Sequence, residues 1–246
     1  MIDLHCHIIP FVDDGARNAA MACEMAEHSL RCGVDTLVAT PHCNIEYMPG
    51  NFRDRSYWEV FGLFKALLKQ HHIPLTVLPG AELLAHGPNL EQLLEEERVV
   101  TLNCSRYLLT EFNFYTPLED MNAKLRLIRR KGYIPVIAHP ERYIAVQEEP
   151  GIARYWVQEG YVLQVNKGSI LGRLGEGARH SGISLLRRGL AHVIASDAHH
   201  PYHRPTGFRS LTPVLSQLCS AEYAQLLLKT NPLRIISDKA VITPDL

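Results

Sequence analysis

His5 and His7 stand two residues apart near the start of the chain, and Asp197 and His199 repeat that spacing near its end. In an extended strand, residues i and i+2 point to the same face, so His5 and His7 converge on one point. Imidazole is the commonest protein metal ligand. Two imidazoles on one strand face, followed by Asp13-Asp14-Gly15, read as metal binding rather than as buried structural histidines. More such groups end short apolar runs: His42 after Leu37-Val38-Ala39-Thr40-Pro41, Glu82 after Val77-Leu78-Pro79-Gly80-Ala81, Glu111 after Leu108-Leu109-Thr110, and His139 after Val136-Ile137-Ala138. Singly, Glu82 and Glu111 could be surface or arginine-paired carboxylates, His139 a strand end, and Asp197 and His199 caps. Together they place charge at most strand ends, and burying that much charge without a cation is very costly. A cluster of divalent ions offsets the cost and fixes the protonation states. The donors are nitrogen and oxygen with no evident thiolate. That set favours manganese, iron, zinc or magnesium over copper(I) or an iron–sulfur centre.

The elements that must carry these residues alternate along the chain. Strands are predicted at 2–9, 36–40, 75–78, 107–111, 134–139, 161–165 and 192–196, and helices at 18–32, 57–71, 90–98, 121–131, 152–159, 184–188 and 221–229. Gly33, Gly132 and Gly160 can end three of the helices, and Pro232 follows the last. In the second helix Trp58, Phe61, Phe64 and Leu68 form a stripe at near-helical spacing, which predicts core packing. Residues 168–182 are glycine-rich, but Gly172-x-x-Gly175-x-Gly177 lacks the order of a dinucleotide fingerprint and reads as a loop. About seven strand–helix units predict a parallel α/β barrel, whose chemistry lies at the C-terminal mouth of the strands.

The 246 residues suit one domain spanning 1–246. With 46% hydrophobic and 21% charged residues, the composition is that of an ordinary globular protein. A net charge of -1 gives no broad basic field, so no nucleic-acid partner is expected. No apolar run approaches the ~20 residues needed to cross a bilayer, so no membrane insertion is expected. The N-terminus enters a strand at once, without the regions of a signal peptide. The six cysteines form no Cys-x-x-Cys pair, and we expect them to be reduced, mostly buried and cytoplasmic. Cys6 and Cys43, beside candidate ligands, read as small fillers on the opposite strand face. Cysteine-dependent tyrosine phosphatases place arginine six positions after the nucleophile. The positions after the six cysteines hold Val12, Ser29, Val38, Pro49, Thr110 and Gln225.

The set His5-x-His7, Asp14, His42, Glu82, Glu111, His139 and Asp197-x-His199 resembles the polymerase and histidinol phosphatase (PHP) superfamily. The stretches Val12-Asp13-Asp14-Gly15, Gly80-Ala81-Glu82-Leu83, Ala138-His139-Pro140-Glu141-Arg142, Gln164-Val165-Asn166 and Asn231-Pro232 look closer still to the bacterial PHP-type tyrosine-protein phosphatases of capsule and exopolysaccharide clusters. The resemblance spans essentially the full chain. It implies a distorted (β/α)7 barrel with three metal ions, usually manganese. It implies that His5, His7, Glu82 and Asp197 hold one ion, that Glu82 bridges to a second held by Glu111 and His139, and that Asp14, His42 and His199 hold the third. Arg142 would contact phosphate, with Arg204 as second arginine and Arg209 as fallback. His200 and His203 read as loop surface. The implied activity is metal-dependent hydrolysis of phosphotyrosine on protein, with a tyrosine autokinase of polysaccharide export as substrate. The rival readings are a phosphatase of a small phosphomonoester such as histidinol phosphate, a nuclease, and a metal-binding scaffold without catalysis.

Overall fold

Nine short strands, all paired in parallel, organise the computed structural model, which describes residues 1–48, 50–86 and 89–244. They are β1 (Ile2–Cys6), β2 (Thr36–Ala39), β3 (His42–Cys43), β4 (Thr76–Pro79), β5 (Glu82–Leu84), β6 (Tyr107–Glu111), β7 (Ile134–Ala138), β8 (Val162–Asn166) and β9 (Val193–Ala195). One sheet has the order β1-β2-β4 and the other β3-β5-β6-β7-β8-β9. A parallel bridge joins Cys6 to Ala198, just past the end of β9. Beside it His7 N donates to Ala198 O (2.9 Å) and Asp197 N to His5 O (2.9 Å). The fold is therefore α/β with parallel sheets. Parallel pairing brings the C-terminal ends of neighbouring strands to one edge.

Two further short strands, β3 and β5, follow two-residue breaks at the ends of the predicted strands at 36–40 and 75–78. Thr40-Pro41 separates β2 from β3, and Gly80-Ala81 separates β4 from β5. Proline supplies no N–H to a ladder. At the second break a Cβ on Gly80 would stand 2.7 Å from Val38 Cγ1, so the strand can cross there only as glycine. The hydroxyl of Tyr57 holds this joint from outside, donating to Gly80 O (2.8 Å) and accepting from Gly80 N (3.0 Å).

The helices cover the sheets. The first two are α1 (Ala19–Arg31), capped by the Asn18 side chain on Met21 N and ended at Gly33 (φ +80°), and α2 (Arg55–Gln70), capped by Asp54. Next come α3 (Leu90–Glu95), α4 (Leu118–Arg130), α5 (Ile144–Glu148) and α6 (Ile152–Gln158). On α2 the buried stripe is Tyr57, Phe61, Phe64 and Leu68. Trp58, expected in that stripe, is 38% exposed. The positions 57, 61, 64 and 68 follow the i, i+4, i+7, i+11 ridge, and Trp58 lies beside it.

Residues 168–182 are not a loop. They contain most of α7 (Lys167–Ile170) and half of α8 (Glu176–Arg187). Gly182 is in the helix interior because a Cβ there would come within 3.0 Å of Ile170 Cδ1 and 3.4 Å of Glu141 Cγ. Close packing, not a turn, selects that glycine. After α9 (Thr212–Leu218) and α10 (Ala221–Gln225), the chain continues through a π-turn (Leu226–Thr230) into α11 (Asn231–Ile236). Pro232, expected to follow the end of a helix, instead sits in the first turn of α11, where a missing N–H costs nothing.

Alternate residues of several strands, including Leu4, Val38, Leu109, Val136, Val162 and Val193, meet in one apolar cluster closed by Ile235 of α11. On β6 the face of Tyr107 and Leu109 continues to Glu111, and on β8 that of Val162 continues to Gln164 and Asn166. The period of two thus carries an apolar floor into a polar end. Cys6, Cys23 and Cys43 are buried, Cys32 and Cys219 are half-buried, and Cys104 is exposed, so fewer are buried than expected; all six are free thiols. No helix among the described residues is long and apolar enough to cross a membrane.

Candidate metal centre

His5 lies at 0% exposure on β1, with His7 at 0% just beyond it and Glu82 at 1% at the start of β5. His5 Nε2 and His7 Nε2 are 3.2 Å apart, and Glu82 Oε2 lies 3.1 Å from the first and 3.2 Å from the second. Asp197 Oδ1 completes this group at 3.5 and 3.6 Å from the same nitrogens. Donors bound about 2.1 Å from one ion at near-tetrahedral or octahedral angles stand roughly 3.0–3.4 Å apart. The spacings of the first three atoms fall in that range.

Tautomers decide whether this is a cation site or a hydrogen-bonded cluster. A carboxylate only accepts, so Asn166 must turn its Nδ2 to Asp197 Oδ2 (2.5 Å). Its Oδ1 then accepts from Gln164 Nε2 (2.8 Å), which leaves Gln164 Oε1 to accept from His5 Nδ1 (2.8 Å). His7 Nδ1 likewise donates to Asp13 Oδ2 (2.7 Å). With both Nδ1 atoms protonated, both neutral rings turn an Nε2 lone pair towards the other. Only a cation, or an added proton, relieves that opposition. The residues fit a divalent metal on this ground.

Glu82 divides its oxygens. Oε2 faces His5, His7 and His42 Nδ1 (3.2 Å), while Oε1 lies 3.1 Å from His139 Nε2. Glu111, at the end of β6, places Oε1 3.5 Å from His139 Nε2 and Oε2 3.5 Å from His42 Nδ1. His139 holds a left-handed backbone (φ 35°), and its Nδ1 is buried without a partner among the described residues. On the other side Asp14 Oδ1 lies 3.5 Å from His42 Nε2 and 3.4 Å from His199 Nε2. His199 Nδ1 donates to Asp197 O (3.1 Å), which leaves its Nε2 free to coordinate. His42 thus stands between two groups of donors rather than with Asp14 and His199 alone. All nine residues named from the sequence lie in one connected cluster.

The charges respond to this crowding. Burial would depress the His5 and His7 imidazoles, but neighbouring carboxylates outweigh it and hold both above their usual value: Glu82 and Asp197 for His5, Asp13 and Glu82 for His7. His139 is raised to about 10 in the same way, by Glu111 and Glu82 against burial. Burial opposes ionisation of Glu82 and Asp197, yet the imidazoles, joined at Asp197 by Arg204, hold both carboxyls below the ordinary range. His199 is pushed down to about 4, first by burial and then by the facing His7.

Two arginines reach Asp197 Oδ2, Arg204 Nη2 at 2.6 Å and Arg142 Nη1 at 3.5 Å. Arg142 lies over the Phe114 ring, its Cζ 4.3 Å from the centroid. The segment carrying Arg204 is held from below by buried Lys167, whose Nζ donates to Pro205 O (2.5 Å) and Gly207 O (2.7 Å). Arg209 is exposed and makes no ion pair with the cluster among the described residues. His203 is exposed, and His200 Nδ1 accepts, among the described residues, from the local N–H groups of Tyr202 and His203. Sequence reasoning missed Asp13 and the pair Gln164 and Asn166 as orienting groups. The signal for the pair was its spacing of two on a strand whose face leads into the site. Gly15, named from the sequence only within the Asp13-Asp14-Gly15 run, is required by close approach: a Cβ there would overlap the His7 carbonyl and lie 2.5 Å from His7 Cβ.

Residues 1–237 match the family described as capsular polysaccharide synthesis, CpsB/CapC. The chain is 40% identical over 205 residues to the tyrosine-protein phosphatase YwqE of Bacillus subtilis, covering 81% of this chain and 77% of YwqE. It is 32% identical over 248 residues to the tyrosine-protein phosphatase CpsB of Streptococcus pneumoniae, covering 98% and 100%. Crystal structures described as YwqE from Bacillus subtilis and CpsB from Streptococcus pneumoniae, unique metal-dependent tyrosine phosphatases, include a chain that superposes with a TM-score of 0.90 at 33% identity, covering 99% of this chain and 97% of that one. A chain of an archaeal ribonuclease P shares the fold at a TM-score of 0.61 and 16% identity.

Proposed function

We infer, for a chain that belongs to the CpsB/CapC family of capsular polysaccharide synthesis, that it is a metal-dependent tyrosine-protein phosphatase. It is an enzyme of phosphoric monoester hydrolysis. The observation that carries the reading is the junction of a cation-demanding cluster with two arginines on one carboxylate, Asp197. In this reading His5, His7, Glu82 and Asp197 hold one ion, Glu82, Glu111 and His139 a second, and Asp14, His42 and His199 a third. The division of the Glu82 oxygens supports its bridging role. Manganese is the ion of choice, with iron, zinc and magnesium as alternatives on the same N/O donor set. Seven parallel segments, with β2–β3 and β4–β5 each counted once, and the Cys6–Ala198 bridge support a distorted (β/α)7 barrel.

When bound, the ions supply Lewis acidity towards phosphate oxygens and lower the pKa of water towards neutrality. The chain does the rest. Asp13 and Gln164 keep His7 and His5 in the tautomers that present Nε2. Arg142 and Arg204 pair with phosphate oxygens through planar forks that lysine cannot copy. Phe114 under Arg142 and Lys167 under the Arg204 segment fix the directions of those forks. A tyrosine leaving group has a pKa of about 10, so its departure calls for no dedicated general acid. We assign the substrate to a phosphotyrosine-bearing protein of capsule synthesis, a tyrosine autokinase. Six free cysteines suit a cytoplasmic setting.

Thiol chemistry is disfavoured by burial, which raises the Cys6 pKa well above its usual value and takes that of Cys43 to about 12. Hydrolysis of an aryl phosphate by the purified protein is expected to vanish with a strong chelator, return with manganese and survive thiol alkylation. Activity that resists chelation and is lost on alkylation would remove the mechanism.

A further inference from the structure

Among the described residues, the four most exposed aromatic side chains are Tyr47 (96%), Tyr115 (84%), Phe11 (71%) and Tyr202 (66%). All four lie in segments that follow strand C-termini: Phe11 after β1, Tyr47 after β3, Tyr115 after β6 and Tyr202 after β9. The same segments and strand ends carry Asp14, His42, Glu111 and His199. Phe11 (φ 70°) and Tyr47 (φ 66°) also adopt a left-handed backbone, which is unfavourable for a residue with a Cβ. Solubility gives no reason to hold bulky rings out on one edge, around a charged cluster. Exposed aromatics with a nearby arginine are the composition of protein-recognition surfaces.

A groove continues this edge. It lies beside Arg142 and is lined by Phe114, Tyr115, Ile144, Leu174, Gly175 and Gly177. Arg142 belongs to both groove and cluster, since its Nη1 lies 3.5 Å from Asp197 Oδ2. Glycines at 175 and 177 add no side chain to its lining. Gly175 has φ +94°, and a Cβ at Gly177 would meet Gln147 Oε1 at 2.5 Å. A small phosphomonoester would be consumed at the cluster and leave such a groove unused.

We propose that this groove, lined by Tyr115 and Leu174, and the aromatic rim around the mouth bind the polypeptide flanking the phosphotyrosine. This deepens the phosphatase reading and rests on it: the rim would select phosphotyrosine in a protein over small phosphate esters. The occupant is a segment of the substrate chain, because the groove is continuous with the phosphate-binding arginine.

The test compares wild type with the Tyr115→Ala and Leu174→Ala variants and their double variant. Each is assayed on p-nitrophenyl phosphate and on a phosphotyrosyl dodecapeptide, and peptide affinity is measured separately by fluorescence anisotropy. The double variant is expected to lose about tenfold or more in kcat/KM on the peptide, mostly through KM, while turnover of p-nitrophenyl phosphate stays within about twofold. Retained aryl-phosphate turnover also serves as the control for folding. Equal losses on both substrates, or no loss on the peptide, would overturn the proposal. So would unchanged peptide binding alongside loss of binding to anionic phosphatidylglycerol vesicles, which would make the rim a membrane surface. Wild type inactive on both substrates would sink the phosphatase reading, while the anisotropy comparison would still decide whether the groove binds peptide.

Discussion

His5 Nδ1 and Asp197 Oδ2 are the two ends of one hydrogen-bonded chain that passes through Gln164 and Asn166 with links of 2.8, 2.8 and 2.5 Å. The carboxylate end fixes the direction of every link, so the ring at the other end is told which nitrogen to present. Two candidate ligands on strands far apart in sequence are thereby oriented by one another.

Gln164→Leu removes the acceptor for His5 Nδ1–H and the donor to Asn166 at once. The ring keeps its position but loses its preferred tautomer. Manganese affinity, measured by calorimetry, is expected to fall about 10–100-fold. The far-ultraviolet dichroism should be unchanged, because leucine fills a similar buried volume. Affinity within twofold of wild type would mean that the chain does not orient His5.

Metal binding should release protons. In the metal-free protein the carboxylates hold His5 above and His7 well above their usual pKa, and that of His139 at about 10, so His7 and His139 are charged near neutrality. Those raised values stabilise the metal-free fold below the unfolded histidine pKa of about 6.5, and the contribution is lost as pH rises through the folded values. A cation needs the neutral ring, so its affinity rises with pH over the same window. Calorimetric titration of manganese in two buffers of unequal ionisation heat, near neutrality, is expected to show net proton release. Equal heats in both buffers would contradict it.

Acid lability has a source outside the metal cluster. His192 is 2% exposed and accepts from Leu163 N through Nδ1 (3.1 Å). Burial pushes its pKa down to about 4. Below about 6.5 the unfolded chain takes up a proton that the folded chain refuses, so stability is full above that pH and falls until about pH 4. The loss is on the order of 3 kcal/mol. Urea unfolding of chelated protein at about pH 7 and about pH 4.5 should show this component in wild type and lose it in His192→Asn. Asparagine retains an acceptor for Leu163 N. The same pH dependence in both proteins would assign the lability elsewhere.

Strand positions were readable because each apolar run is short and β-branched or leucine-rich, and most end in a ligand type. Tyr107 to Glu111 matches residue for residue. The short strands β3 and β5 beyond Thr40-Pro41 and Gly80-Ala81 were not, because the predicted strands stop at Thr40 and Leu78 and a ladder of two or three residues carries no periodicity of its own. Residues 168–182 misled for a related reason: glycine marks either a turn or a close approach, and only the neighbouring Ile170 and Glu141 tell which applies at Gly182. The ligand types at the site were visible as residues, but Asp13 and Asp14 are adjacent and identical in chemistry. That one orients His7 while the other faces His199 depends on backbone direction, which composition does not carry.

Tyr57 joins an outer helix to the backbone two residues before Glu82, the carboxylate that touches four histidines. The depth of that carboxylate is therefore set partly from the far side of the sheet. Engineering α2 for thermal robustness cannot be separated from engineering the centre. Any repacked version has to be assayed for ion retention as well as for melting temperature.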